Sequence, residues 1–279
     1  MSGTRSSEAS RELERQIGWY PGHMVKATRR MREYLRAIDV VVEVVDARIP
    51  RSGRNALLDE LAGKRPRVIA LTREDLADQA ATKRWLKHFT VLGRQSLAVD
   101  SRAPRSVARI AAAIASSSPG GAKLGTARAM IVGVPNSGKS TIVNSLLRRA
   151  AAKTEDRAGV TRHLQWFRLS ANVELMDTPG VLPPKISSTA SQWKLALCRA
   201  IPRDLYDPQE VVNVFYGWLI ERYPKTEAPG LDEFAQRRGF LSRGGRVDYN
   251  NAAHAYISAF NDGAFGRISL EAPDDAEAA

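Results

Sequence analysis

The 279-residue sequence has a single cysteine, Cys198, only four histidines and no long apolar run. One cysteine excludes an internal disulfide and a cysteine-built metal cage, and suits a reducing compartment. No stretch reaches the roughly 18 apolar residues that a membrane-spanning helix needs. The opening MSGTRSSEASRELERQIGWY lacks the apolar core of a signal peptide, and Glu8, Glu12 and Glu14 do not fit a transit peptide. The expected location is the cytoplasm, with a mitochondrion as the alternative. Acidic residues are also in short supply: 30 Asp and Glu stand against 42 Lys and Arg, for a net charge of +12. The final nine residues, EAPDDAEAA, hold four acids and no base, so the excess over the rest is larger still. Such an excess points to a polyanionic partner, nucleic acid before acidic membrane, against the plainer reading of a solvated basic surface.

What is present is ordinary for a globular protein: 43% hydrophobic and 26% charged residues exclude wholesale disorder. Three short β-branched runs, around 39–46, 66–71 and 96–101, read as buried strands, with helical patterns around 24–38, 54–63, 78–89 and 105–116. Strand alternating with helix predicts a parallel sheet with covered faces. SSSPGGAKLGTAR (116–128) is a loop or linker, followed by a strand in ARAMIVGV and a helix from Lys139. FRLS and NVELM then predict a pair of strands. From about 189 the pattern turns helical. Asp207-Pro-Gln-Glu210 is a helix start, and Val211, Val214, Phe215, Trp218 and Leu219 recur at helical spacing as core. Further helices are expected around 231–238 and 248–261. Trp193 and Trp218 fall in these apolar patterns and read as core rather than as platforms for stacked bases.

GVPNSGKST (133–141) has the spacing of a phosphate-binding loop between a strand and a helix. Gly133 and Gly138 let backbone N–H groups wrap a phosphate, Lys139 supplies charge, and Ser140 is a Mg²⁺ ligand. Asn136, Ser137, Gly138, Lys139, Ser140 and Thr141 are thus the candidate phosphate-binding residues. Asp177-Thr-Pro-Gly180 follows the strand NVELM, placing Asp177 at a strand end for the Mg²⁺ shell and the Gly180 N–H toward a γ-phosphate. Thr161, in DRAGVTRHL, is the candidate switch threonine for Mg²⁺ and γ-phosphate.

Together these features resemble a translation-factor-type GTPase, which also needs an Asn-Lys-x-Asp element for guanine. None follows residue 180. The nearest match is upstream, Thr72-Arg73-Glu74-Asp75 after a strand, with AVDS ending at Ser101 after the next. The resemblance implies a circular permutation, in which guanine-reading strands precede the phosphate-binding ones. Asp75 would read guanine N1 and N2, Thr72 would replace part of the Asn contact, and Arg73 would lie over the base.

Gly18-Trp-Tyr-Pro-Gly-His-Met24, Asp46-Ala-Arg-Ile-Pro50, GVPNSGKST, DTPG and the tail RRGFLSRGGRVD occur in the order seen in the ribosome biogenesis GTPase A family. The resemblance spans roughly 17–271. It implies an α/β fold: a circularly permuted P-loop GTPase domain with a mostly parallel sheet and helices on both faces, plus a small C-terminal helical domain. The expected organisation is a flexible tail at 1–16, the GTPase domain at 17–188, a helical RNA- and ribosome-binding domain at 189–270, and an acidic disordered tail at 271–279. The implied activity is hydrolysis of GTP to GDP, slow alone and stimulated by the large ribosomal subunit and its rRNA, with release after hydrolysis. An alternative is an RNA-docking protein plugged by nucleotide. No oligomer is implied.

Val181 stands where related enzymes carry a water-positioning Gln, and valine cannot orient water. By resemblance His23 approaches the attacking water; a turn or capping histidine is the competing reading. Asn136 resembles the asparagine that ligates K⁺ in potassium-activated GTPases, against ordinary loop chemistry. Arg237, Arg238, Arg243, Arg246 and HMVKATRRMRE are the basic surfaces suited to rRNA phosphates.

Overall fold

A computed structural model describes residues 31–119, 125–154, 165–178, 188–241 and 246–275. They fall into two compact units. The sheet unit contains strands β1 (Val40–Asp46), β2 (Arg67–Thr72), β3 (Gln95–Val99), β4 (Ala127–Val132), β5 (Gln165–Ser170) and β6 (Val173–Asp177), in the order β3-β2-β1-β4-β6-β5. Every neighbouring pair is parallel except the antiparallel β5–β6 hairpin. The three strands that precede β4 in sequence lie on one side of it, and the two that follow lie on the other.

The helices α1 (Ala56–Ala62), α2 (Gln79–Val91), α3 (Pro104–Ser117) and α4 (Lys139–Thr154) explain why β1 is apolar almost throughout rather than alternating. A parallel strand covered on both faces has no solvent side. Val40, Val42 and Val44 pack in a cluster with Ile110, Ile114 and Ile142 from α3 and α4. Val41 joins Met31, Leu35 and Leu58 in a second cluster, and Val45 joins Trp85 and Phe89 of α2 in a third. Successive residues therefore serve opposite faces. Helix starts follow local chemistry: the Asp78 carboxylate accepts from Ala81 N–H at 2.7 Å, and Pro104 opens α3.

The helical unit contains α5 (Thr189–Leu197), a single 3₁₀ turn at Arg203–Leu205, α6 (Pro208–Arg222), α7 (Leu231–Arg237) and α8 (Tyr249–Asn261). Asp207 caps α6 by accepting from Gln209 N–H, and Asp248 caps α8 by accepting from Asn251 N–H. Phe215 is the centre of its core, with ring centroids 5.0 Å from Phe260, 6.4 Å from Tyr256 and 6.5 Å from Trp193. Such pairs add about 0.5–1.5 kcal/mol each beyond area burial. Trp193 is buried, and half-buried Trp218 packs against it, as the helical spacing predicts. The Asn261 side chain donates to Leu197 O at 2.7 Å, satisfying a carbonyl at the end of α5.

One sequence expectation is corrected in part. Composition made 271–279 a disordered tail, but residues 269–275 belong to the sheet unit and are hydrogen-bonded to it. Glu271 finds two backbone N–H donors there. Composition registers the charge and cannot register that distant partner.

Phe215→Ala is expected to destabilise the helical unit by about 3–5 kcal/mol, and Ile220→Ala, on the solvent side of the same helix, by less than about 1 kcal/mol. Urea unfolding followed by circular dichroism measures both.

Candidate functional site

Parallel strands deliver their C-terminal ends to one edge of the sheet, the usual place for ligands in such folds. Register puts Asp46 beside Thr72, Thr72 beside Val99, and Asp177 beside Ile131. The loop 133–138 leaves β4 at this edge and enters α4, whose N-terminus faces the same way.

Gly133 is required by close approach and Gly138 by its left-handed backbone. A Cβ on Gly133 would lie 2.3 Å from Val44 O, and the residue has φ of +156°. Gly138, at φ +96°, passes 3.3 Å from the Thr72 methyl group by the same measure. Between them Asn136 adopts a left-handed φ of 56°, a conformation that asparagine tolerates.

Lys139 is buried and donates to Gly133 O at 3.1 Å and Val134 O at 2.9 Å. Burial pushes its pKa down to about 8, opposed by the nearby Asp177 carboxylate. Burial raises the Asp177 pKa in turn, and Lys139 pulls it back. Among the described residues Asp177 Oδ1 and Ser137 Oγ are buried without a hydrogen-bond partner, so both retain capacity for a ligand. Ser140 and Thr141 are exposed at the start of α4. Among the described residues no three His, Cys, Asp or Glu cluster as a metal site. A Mg²⁺ ion here fits as a partner of bound phosphate, with Asp177 and Ser140 as its protein side.

The base-reading candidates divide by position. Thr72 is fully buried, and its hydroxyl lies 2.7 Å from Ser137 O and 3.1 Å from Val45 O. It fastens the phosphate loop to β2. Arg73, at φ 55°, donates to Asn136 O at 3.0 Å and approaches Asp46 at 3.7 Å. Its head group thus lies on the phosphate loop. Asp75 is ion-paired with Arg102, which also donates its backbone N–H to Asp100 at 2.9 Å. Ser101 is half-exposed in this same turn. His23, Thr161 and Gly180 lie outside the described residues.

Sequence reasoning left several participants without a role. Arg102 is three residues after β3 in an unremarkable turn. Asp46 and Arg48 form a buried ion pair at 2.8 Å, reinforced by the Arg48 backbone N–H and Nε. Burial alone would raise the Asp46 pKa, but the Arg48 guanidinium outweighs it and leaves the carboxyl below its ordinary range. The signal available was a carboxylate ending an apolar strand with arginine two residues on. Thr178 donates to Ile131 O at 2.7 Å, holding the chain after β6 against β4.

A strand, a glycine-bounded loop, a buried lysine opening a helix and a carboxylate ending the adjacent strand define a P-loop protein of the GTPase class. The family model for 50S ribosome-binding GTPases matches residues 128–205. Ribosome biogenesis GTPase A of Priestia megaterium is 37% identical, with 94% of this chain and 98% of that protein covered. The protein of the same name from Thermotoga maritima is 32% identical over 93% and 95%. The crystal structure of GNP-bound YlqF from T. maritima superposes with a TM-score of 0.73 at 31% identity, covering 90% of this chain and all of that one. The chain belongs to the ribosome biogenesis GTPase A family.

Two outcomes follow for guanine-nucleotide binding. Free Lys139 loses its proton as pH passes about 8, whereas bound phosphate retains it. The complex then carries the extra proton, so GDP affinity is expected to fall as pH rises through that value, by at most about tenfold per unit. Calorimetric titration at pH values below guanine's own N1 ionisation measures the slope. Gly133→Ala is expected to cost several-fold or more in affinity and about 2 kcal/mol or more in stability, because its Cβ meets backbone. Nucleotide titration and thermal unfolding together check it.

Proposed function

We propose that the protein hydrolyses GTP slowly by itself, docks on the precursor of the large ribosomal subunit, is stimulated there, and leaves after hydrolysis. The observation that carries this reading is the single sheet edge on which Lys139, Asp177, the loop 133–138 and the Thr72–Asp75 turn converge. Lys139 exchanges its two loop carbonyls for phosphate oxygens. The N–H groups of 136–141 and the α4 N-terminus supply fixed positive field where charge develops. Asp75 exchanges Arg102 for guanine N1 and N2, donors that adenine does not present together. Mg²⁺, when bound with nucleotide, neutralises phosphate charge, and Asp177, Ser140 and Thr161 would hold its shell. Asn136 would ligate K⁺, and His23 would orient the attacking water that Val181 cannot. The placement of the base-reading strands before the phosphate loop in sequence fits a circular permutation. The family's setting supports a cytoplasmic location and rRNA as partner.

The helical unit offers a surface suited to RNA phosphates. A groove of about 580 Å³ is lined by Lys225, Arg237 and Arg238 around Phe234 and Phe265. Arg238 lies 5.5 Å over the Phe234 ring. Arg246 adds to this basic character in sequence, and Arg243 lies outside the described residues.

Phosphate release from GTP and ATP, in KCl and NaCl, with and without large subunits, tests the proposal. The expected result is GTP-selective turnover raised about tenfold or more by subunits, with a higher rate in KCl. Equal use of ATP would remove guanine selection by Asp75. Tight subunit binding without stimulation would favour the nucleotide-plugged docking protein.

A further inference from the structure

Residues Ser269–Asp275 form a strap on the sheet unit. Leu270 N–H donates to Arg48 O at 2.8 Å, and Ser269 Oγ accepts from Asp78 N–H at 3.0 Å. The buried Glu271 carboxylate accepts from Arg51 N–H at 2.6 Å and Ser52 N–H at 3.1 Å, while its carbonyl accepts from the Trp85 indole at 3.1 Å. Arg51 closes over the strap, donating to Pro273 O at 3.0 Å. The segment after β1 is therefore held at both its backbone amides and its carbonyls by the strap.

The same segment carries Arg48, whose guanidinium grips Asp46 through Nε at 3.0 Å and Nη2 at 2.8 Å. Asp46 faces Arg73, and Arg73 donates to Asn136 O in the phosphate loop. Strap, Arg48, Asp46, Arg73 and Asn136 thus form one contiguous polar chain, all within the sheet unit. Two features exceed what folding alone requires. A buried ion pair such as Asp46–Arg48 is commonly replaceable by apolar residues at no loss of stability. Arg73 and Asn136, the two ends of one hydrogen bond, both hold left-handed backbone conformations, a strain that persists only where surroundings impose it.

We propose that the C-terminal strap, acting through Arg48 and Asp46, sets Arg73 against the phosphate loop, making Arg73 a positioning residue for nucleotide binding under the strap's control. With the strap docked, Asp46 is fixed and the Arg73 head group is held over Asn136 O. With it released, Arg73 loses that support and the loop's left-handed turn relaxes. The inference rests on the guanine-nucleotide reading of the site.

The test uses full-length protein and fluorescently labelled GDP, with Glu271→Ala, Arg73→Ala and the double variant. Each single change is expected to weaken binding about tenfold, and the double variant is expected to bind no more weakly than Arg73→Ala alone, the mark of residues acting through one path. Arg73→Lys is expected to recover part of the loss, and Arg84→Ala, on the exposed Arg84–Asp274 pair, to stay within about twofold. Losses that multiply in the double variant, as general destabilisation would produce, overturn the proposal. So does unchanged affinity in Glu271→Ala. If Glu271→Ala does not fold, Glu271→Gln, which keeps the volume and one acceptor, takes its place with the same criteria. Failure of the unaltered protein to bind labelled GDP would instead count against the nucleotide reading itself.

Discussion

The site depends on one close approach: at Gly133 the phosphate loop passes so near the β1 backbone that no side chain fits between. Gly133 runs against Val44 O, and Gly138 runs against Thr72. The Thr72 hydroxyl then fastens Ser137 O from beneath. A loop laid on strand ends in this way is held in place by the sheet, and preorganised dipoles are what phosphate chemistry demands. The adjacent β1 and β2 backbones are therefore part of the site, although their own segments precede the loop by some sixty to ninety residues.

Charge is arranged on the same edge with similar economy. Glu43, Asp46, Arg48 and Lys139 are all buried, a cost that must be met by pairing. Arg54 pairs with Glu43 at 3.1 Å and Arg48 with Asp46 at 2.8 Å. Lys139 and Asp177 differ: burial pushes both toward their neutral forms, and each holds the other back. Groups of opposite charge, suppressed by burial and including Asp177 Oδ1 with no partner among the described residues, are primed for an ionic ligand. Asp75 and Arg102 sit farther out, where solvent screens the pair.

The helical unit obeys different physics. Its aromatic residues meet around Phe215 and Tyr256, so its helices are held by packing rather than by backbone ladders. This leaves the outer face to carry basic residues such as Lys225, Arg237 and Arg238.

Much of the fold was readable in the sequence. The β-branched run at β1, the strand before GVPNSGKST, the paired strands before Asp177 and the Asp-Pro helix start at 207–208 are local patterns, and each appears where the pattern put it. Local chemistry also singled out Lys139 and Asp177 as candidates, because a phosphate loop and a carboxylate at a strand end are short-range signals, and the fold brings the two near each other. Long-range placement was not readable. Thr72 reaches Ser137 O beneath the loop, Arg73 reaches Asn136, and Glu271 reaches Arg51 across 220 residues of sequence. The sequence alone determined which segments form strands, helices and the phosphate loop, since periodicity and turn chemistry act over a few residues. Only the tertiary structure decided what each polar side chain satisfies, because a buried donor or acceptor must be paired with whatever group the fold brings beside it.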